Sequence, residues 1–114
     1  MDPILNLKTL AKMIDHSLLH PTLTDEDIVI GCDVAQKYGV ATACVKPCAI
    51  HLARDVLNGS GVGICAVIAF PHGNSTTSIK VREAEEAVLS GAGEIDMVVN
   101  IGKVLGGCMG LRFQ

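Results

Sequence analysis

Two carboxylates, Glu94 and Asp96, stand two residues apart inside the apolar run GEIDMVVN. A strand alternates its faces, so both side chains point the same way, away from Ile95 and Met97. Burying a charged carboxylate without a partner costs on the order of several kcal/mol. Asp96 therefore either does acid–base work near a strand end or makes a structural salt bridge or loop cap. A second polar island lies in IDHSLLHP, where Asp15 and His16 precede an apolar pair. A loop with Asp15 as a local cap is the simpler expectation there. FPHG, Phe70 to Gly73, reads as a strand-end turn whose glycine lets the backbone bend, with His72 a surface turn residue. Cys44, Cys48 and His51 have metal-binding side chains. Cys-x3-Cys with one His and no fourth ligand is a weak zinc signal, and buried thiols are the expectation. GSGVG, Gly59 to Gly63, imitates a phosphate loop but precedes a strand instead of following one, so no helix N-terminus would face a phosphate.

These residues need elements to position them. Thr24 is a predicted N-cap with Asp27 closing a capping box, and Leu23 and Ile28 take staple positions. That helix should run to about Tyr38 and stop at Gly39. Ala41 to Lys46 reads as a strand ended by Pro47. Ala49, Leu52, Ala53, Val56 and Leu57 recur with helical spacing, and Asn58 to Gly61 end that helix. Val62 to Phe70 is a strand apolar on both faces, as expected when helices cover both sides of a parallel sheet. Ile79 to Ser90 is a charged amphipathic helix, and Gly91 and Gly93 bracket the turn into a strand over Glu94 to Asn100. Helix, then strand–helix–strand–helix–strand, predicts an α/β fold with three parallel strands and right-handed crossovers. Functional groups gather at the carboxyl ends of such strands, here Lys46-Pro47, Phe70 to Gly73 and Asp96 to Asn100. No crossover helix is expected after the last strand. The ending KVLGGCMGLRFQ therefore reads as an unfinished unit, cut short relative to the fold it encodes.

The totals agree with one small domain: 114 residues, 49% hydrophobic, with a mean hydropathy of +0.43. Net charge is -3, with no basic run, no Trp, and only Tyr38, Phe70 and Phe113 as aromatics, which argues against a nucleic-acid partner. No apolar run approaches the roughly 18 residues of a membrane span, and the N-terminus lacks the pattern of a secretion signal. Five cysteines, at 32, 44, 48, 65 and 108, lie mostly in apolar stretches. That suits reduced thiols in a cytoplasmic protein better than a disulfide framework.

The strings MIDHSLLHP, ACVKPC and VIAFPHGNSTTSIKVREAEEAVLSGAGEIDMVVNIGKVLGG, in this order and spacing, resemble deoxyribose-phosphate aldolase. The resemblance runs from about Lys12 to Gly107. It implies the N-terminal portion of a (β/α)8 barrel, spread over 1–114 with an atypical tail at 108–114. It also implies a cytoplasmic class I lyase of deoxyribonucleotide catabolism, acting on a small phosphosugar without metal or other cofactor, and homo-oligomers are compatible with it. A lysine forms an imine with the substrate carbonyl, and a second lysine lowers its pKa, because a charged amine is not a nucleophile. Asp96 matches the family's proton-relay aspartate. Asp15 matches a second acidic residue lining the site, and Ser17 and Cys44 fall near the substrate.

The family's imine lysine lies in a segment like FIKTSTGF and its partner lysine in one like KASGG, and neither string occurs in this sequence. Of the lysines present, only Lys46 is expected at a strand end near the mouth. A complete (β/α)8 barrel usually needs ~250 residues. The expectation is an aldolase portion inactive alone. Two other expectations stand beside it: a non-catalytic form that binds full-length subunits or other partners through an open sheet edge, and a small metal-binding α/β module.

Overall fold

The structure, a computed structural model, describes residues 6–107. Cys108 and the atypical tail at 108–114 lie outside the described residues. In chain order the elements are α1 (Leu7–Ala11), β1 (Asp15–Leu18), α2 (Asp25–Tyr38), β2 (Thr42–Val45), a short 3-10 turn (Pro47–Ala49), α3 (Ile50–Leu57), β3 (Gly63–Ile68), α4 (Thr77–Ser90), β4 (Glu94–Met97) and α5 (Ile101–Leu105). The sheet is wholly parallel in the order β1-β2-β3-β4.

Local chemistry sets the helix ends. The Thr24 side chain accepts from the Asp27 amide at 3.2 Å, and the Asp27 carboxylate accepts from the Thr24 amide at 2.9 Å, so the expected capping box is formed. Gly39 ends α2 with a left-handed φ of 61°, a conformation that costs a side-chain-bearing residue energy. In α3 the apolar face buries Ile50, Ala53 and Leu57, with Leu52 and Val56 partly buried beside them. Fully burying a side chain such as Ile50 contributes about 1.5–3 kcal/mol.

All three crossover helices pack on one side of the sheet. Leu18, Ala43, Val45, Ile64, Ala66 and Ile68 form a core there with Ile28, Cys32 and Ala35 of α2, Ile50, Ala53 and Leu57 of α3, and Ala87 of α4. The opposite side carries a small cluster of Cys44, Cys65 and Val67, with Leu19 packed against it. This corrects the expectation of helices on both sides. A strand can be apolar on both faces because a barrel packs its interior with side chains as well as its exterior with helices. Adding each strand beside the last, with every crossover of one hand, puts all the helices on one face.

Three further expectations change. There are four strands, not three: Asp15–Leu18 form β1, where a loop was expected, so Asp15 is not a loop cap. Its polar residues hide the alternation because one face carries Asp15 and Ser17 and the other His16 and Leu18. The last strand stops at Met97, not Asn100. A five-residue helix follows it, opened by the Asn100 side chain accepting from the Lys103 amide at 3.1 Å.

Candidate active site

Sheet register assigns every sequence-predicted site residue to one face. Asp15 pairs with Thr42, and Ser17 with Cys44. Cys44 pairs with Cys65, Cys65 with Glu94, and Val67 with Asp96. Partners in a parallel ladder project to the same side, and so do residues two apart. Asp15, Ser17, Cys44 and Asp96 therefore all project from the face without helices, together with Thr42, Cys65 and Glu94. They occupy successive levels. Asp15 is nearest the amino ends of the strands, Ser17, Cys44, Cys65 and Glu94 form the next row, and Asp96 lies one row closer to the carboxyl ends. With strands about 4.8 Å apart, β1 and β4 are separated by roughly 14 Å across the sheet. Asp15 and Asp96 thus flank the face and do not touch.

The centre of this face is dry and its flanks are wet. Cys44 and Cys65 are 1% and 5% exposed, and Val67 is 2% exposed. Asp15, Ser17, Glu94 and Asp96 are exposed. The burial expected for Asp96 is not found: β4 is the sheet edge among the described residues, and all four of its residues are exposed. The Thr42 hydroxyl donates to the Asp15 carboxylate, which fixes that carboxylate against the sheet. Burial pushes both thiols up. Cys44 is raised far above the ordinary thiol range, first by desolvation and then by the neighbouring Cys65 and Asp15. Cys65 is raised to about 11 by desolvation, with the charges of Asp15, Asp96 and Glu94 acting in the same direction. The face is thus acid-rich around two protonated thiols.

The carboxyl ends of the strands form a rim. The Ala69 amide, just past β3, donates to Glu83 Oε1 of α4 at 2.7 Å. Ala69 has φ 55°, a left-handed conformation uncommon outside glycine. Gly73, with φ 67°, is pressed against β4's exit: a Cβ there would lie 1.9 Å from the Val99 carbonyl oxygen. His72 is exposed, as expected of a turn residue. Lys46 Nζ donates to the His20 carbonyl at 3.1 Å and lines a cavity of about 320 Å³ with Leu19, Val67 and Phe70. Lys80 was assigned to a charged helix face, yet its Nζ donates to the Val98 carbonyl at 2.9 Å. Lys46 is therefore not the only lysine at a strand end.

Cys44, Cys48 and His51 are not brought together. Cys44 is buried in the sheet, whereas Cys48 and His51 are exposed on the following turn and helix. Three residues of the site region were missed. Cys65 and Thr42 looked like strand filler, and only their register reveals their neighbours. Glu83 looked like one of several solvated helix charges.

Sequential parallel strands with every crossover helix on one face and polar groups on the other define part of an aldolase-type (β/α)8 barrel. The chain is homologous to the deoxyribose-phosphate aldolases. It is 51% identical over 98 residues to the deoxyribose-phosphate aldolase of Treponema denticola, a match covering 86% of this chain and 45% of that one. It is 50% identical over 97 residues to that of Rhodopirellula baltica, covering 85% and 40%. Among solved structures, a putative deoxyribose-phosphate aldolase from Coccidioides immitis superposes with a TM-score of 0.84 at 38% identity, covering 89% of this chain and 40% of that one. The deoxyribose phosphate aldolase of Aeropyrum pernix, described as a unique tetramer, gives 0.79 at 32% identity, covering 85% and 42%. No family model matches the chain. The chain spans about half the length of the curated relatives it matches. Among the described residues, no helix is long and apolar enough to cross a membrane.

Proposed function

We propose that this chain supplies the acid-bearing part of a deoxyribose-phosphate aldolase site. The reaction is retro-aldol cleavage of 2-deoxy-D-ribose 5-phosphate to glyceraldehyde 3-phosphate and acetaldehyde. Asp96 is the proton relay, and Asp15, Ser17 and Cys44 line the substrate pocket. The imine lysine and its partner lysine come from a complementary part of the barrel. The observation that carries this reading is the placement of Asp15, Ser17, Cys44 and Asp96 on the one sheet face without helices. That face has carboxylates to accept protons and, among the described residues, no ion pair to either aspartate. A lysine pair arriving from outside would complete the charge balance. By itself the 114-residue chain is expected to be inactive, because the strings that carry the imine lysine and its partner lysine do not occur in it.

The test is a chimera in which residues 12–107 replace the matching part of an active homologue. The chimera is expected to cleave the substrate, and Asp96→Asn to lower kcat by about 10²–10⁴-fold, the usual contribution of a positioned acid–base group. Borohydride trapping of the isolated chain with acetaldehyde should give no lysine adduct by intact mass. An adduct on Lys46, or an Asp96→Asn chimera of full activity, would overturn the assignment.

A second reading has its own support. β1 and β4 are unpaired edges among the described residues, and Ile95 and Met97 of β4 and Val88 and Leu89 of α4 are exposed apolar residues beside one of them. Such an edge can pair with another chain. In this reading the chain is a non-catalytic partner of full-length subunits. Co-purification with a tagged full-length homologue, lost on proline substitution at Glu94, whose amide faces away from β3 because that of Gly93 faces it, distinguishes it.

A further inference from the structure

Cys65 is a buried residue of this face to which the aldolase reading gives no role. It pairs directly with Cys44 across β2 and β3. A carboxylate oxygen of Asp15 completes the group: the three donor atoms all lie within 4.8 Å of one another. β1, β2 and β3 contribute one donor each, so sheet register, not a flexible loop, holds the set together.

Two sulfurs and one oxygen are a soft donor set. Thiolates select thiophilic ions, whereas calcium and magnesium require six or more oxygens or an octahedral shell. Thiolates sit about 2.3 Å from zinc-like ions, so two donors on one ion are no more than roughly 4.6 Å apart. On one tetrahedral ion such donors stand roughly 3.8 Å apart, so the three side chains must close in on the ion as it binds. Thr42 already orients the carboxylate through its hydroxyl, the kind of supporting hydrogen bond that ligating groups use.

We infer that Asp15, Cys44 and Cys65 form a binding site for a thiophilic d10 metal ion, with its remaining coordination position opening onto the helix-free face. A divalent ion binds two thiolates and one carboxylate, and the two thiol protons leave to solvent with no change of oxidation state. Those protons are held tightly, so binding competes with them and strengthens as pH rises. The charged groups of the same face are Asp15 on β1, Glu94 and Asp96 on β4, and Lys46 just past β2, which lines a cavity with Leu19 and Val67. The three carboxylates favour an incoming cation, and Lys46 opposes it.

The probe is cadmium, added to the reduced full chain carrying Cys48→Ser and Cys108→Ser, with circular dichroism confirming the fold. One ion per chain is expected, with the ultraviolet thiolate-to-cadmium band of two sulfurs and release of two protons. Cys44→Ala or Cys65→Ala should halve that band or abolish it. Asp15→Asn should keep the band and weaken binding, and Thr42→Val should weaken it by about 10–100-fold. Cadmium NMR of the chain with both thiols intact reads the donors directly and does not depend on any variant folding. A mixed sulfur–oxygen environment is expected. An all-oxygen or four-sulfur environment, or an unchanged titration in Cys65→Ala, overturns the site. The readout is spectroscopic and stands whether or not the chain takes part in aldol cleavage.

Discussion

The Ala69 amide sits 2.7 Å from Glu83 Oε1 and donates its hydrogen to it. One residue is the left-handed exit of β3, and the other lies mid-way along α4. This bond ties the rim of the candidate site to the helix behind it. Glu83→Ala orphans a part-buried amide and should cost about 1–3 kcal/mol, read as a lower urea midpoint. Glu83→Gln keeps an acceptor and should recover part of that loss. Equal losses in the two variants would refute the role of the bond.

Gly73 and Gly39 form an internal comparison. Both are left-handed, at φ 67° and 61°, but a Cβ on Gly39 meets nothing within 4 Å, whereas one on Gly73 meets the Val99 carbonyl. Alanine at either position takes on the left-handed penalty of about 1–2 kcal/mol. Gly73→Ala adds a backbone clash, so its melting temperature should fall well below that of Gly39→Ala. Equal melting temperatures would mean that the loop and β4 move apart freely.

Asp27 makes the stability of α2 depend on acid. The backbone hydrogen bond from Thr24, and then its side-chain bond, hold the carboxyl below its usual range. A depressed folded pKa gives stability that is fully present above the unfolded value, roughly 3.9. That stability is lost as pH falls through the lower folded value. Asp27→Asn should therefore lower the urea midpoint at neutral pH, and the difference from the parent should shrink in strong acid. A difference that stays constant with pH would remove the charge from the explanation.

The cysteines should react in order. Cys48 is exposed, while Cys32, Cys44 and Cys65 are buried. Burial raises all three buried thiols, and only the thiolate attacks. In a Cys108→Ser chain near neutral pH, an aromatic disulfide reagent should label Cys48 first. Cys65, raised to about 11, should speed up as pH climbs towards that value. Peptide mapping that finds Cys65 labelled as fast as Cys48 at neutral pH would show that the sheet face opens readily.

How much was legible depends on the reach of each signal. The capping box of Thr24 and Asp27, the stop at Gly39 and the apolar face of α3 are local, so residues within a few positions of one another reveal them. β1 was not legible because only Leu18 of its four residues is buried, and a strand with polar residues on both faces reads as a loop. The burial expected of Asp96 failed for a related reason. An apolar run signals a strand, but whether that strand is central or an edge depends on its neighbours.

By itself, the sequence determined the parallel α/β character, most element boundaries and the family strings around Asp15, Cys44 and Asp96. Their common face, the separation of Asp15 from Asp96 and the meeting of Asp15, Cys44 and Cys65 were decided by the tertiary structure. Asp15 and Cys65 are 50 positions apart, and no local pattern links them. Parallel register does so, because hydrogen bonding between backbones sets which side chains stand side by side, whatever those side chains are.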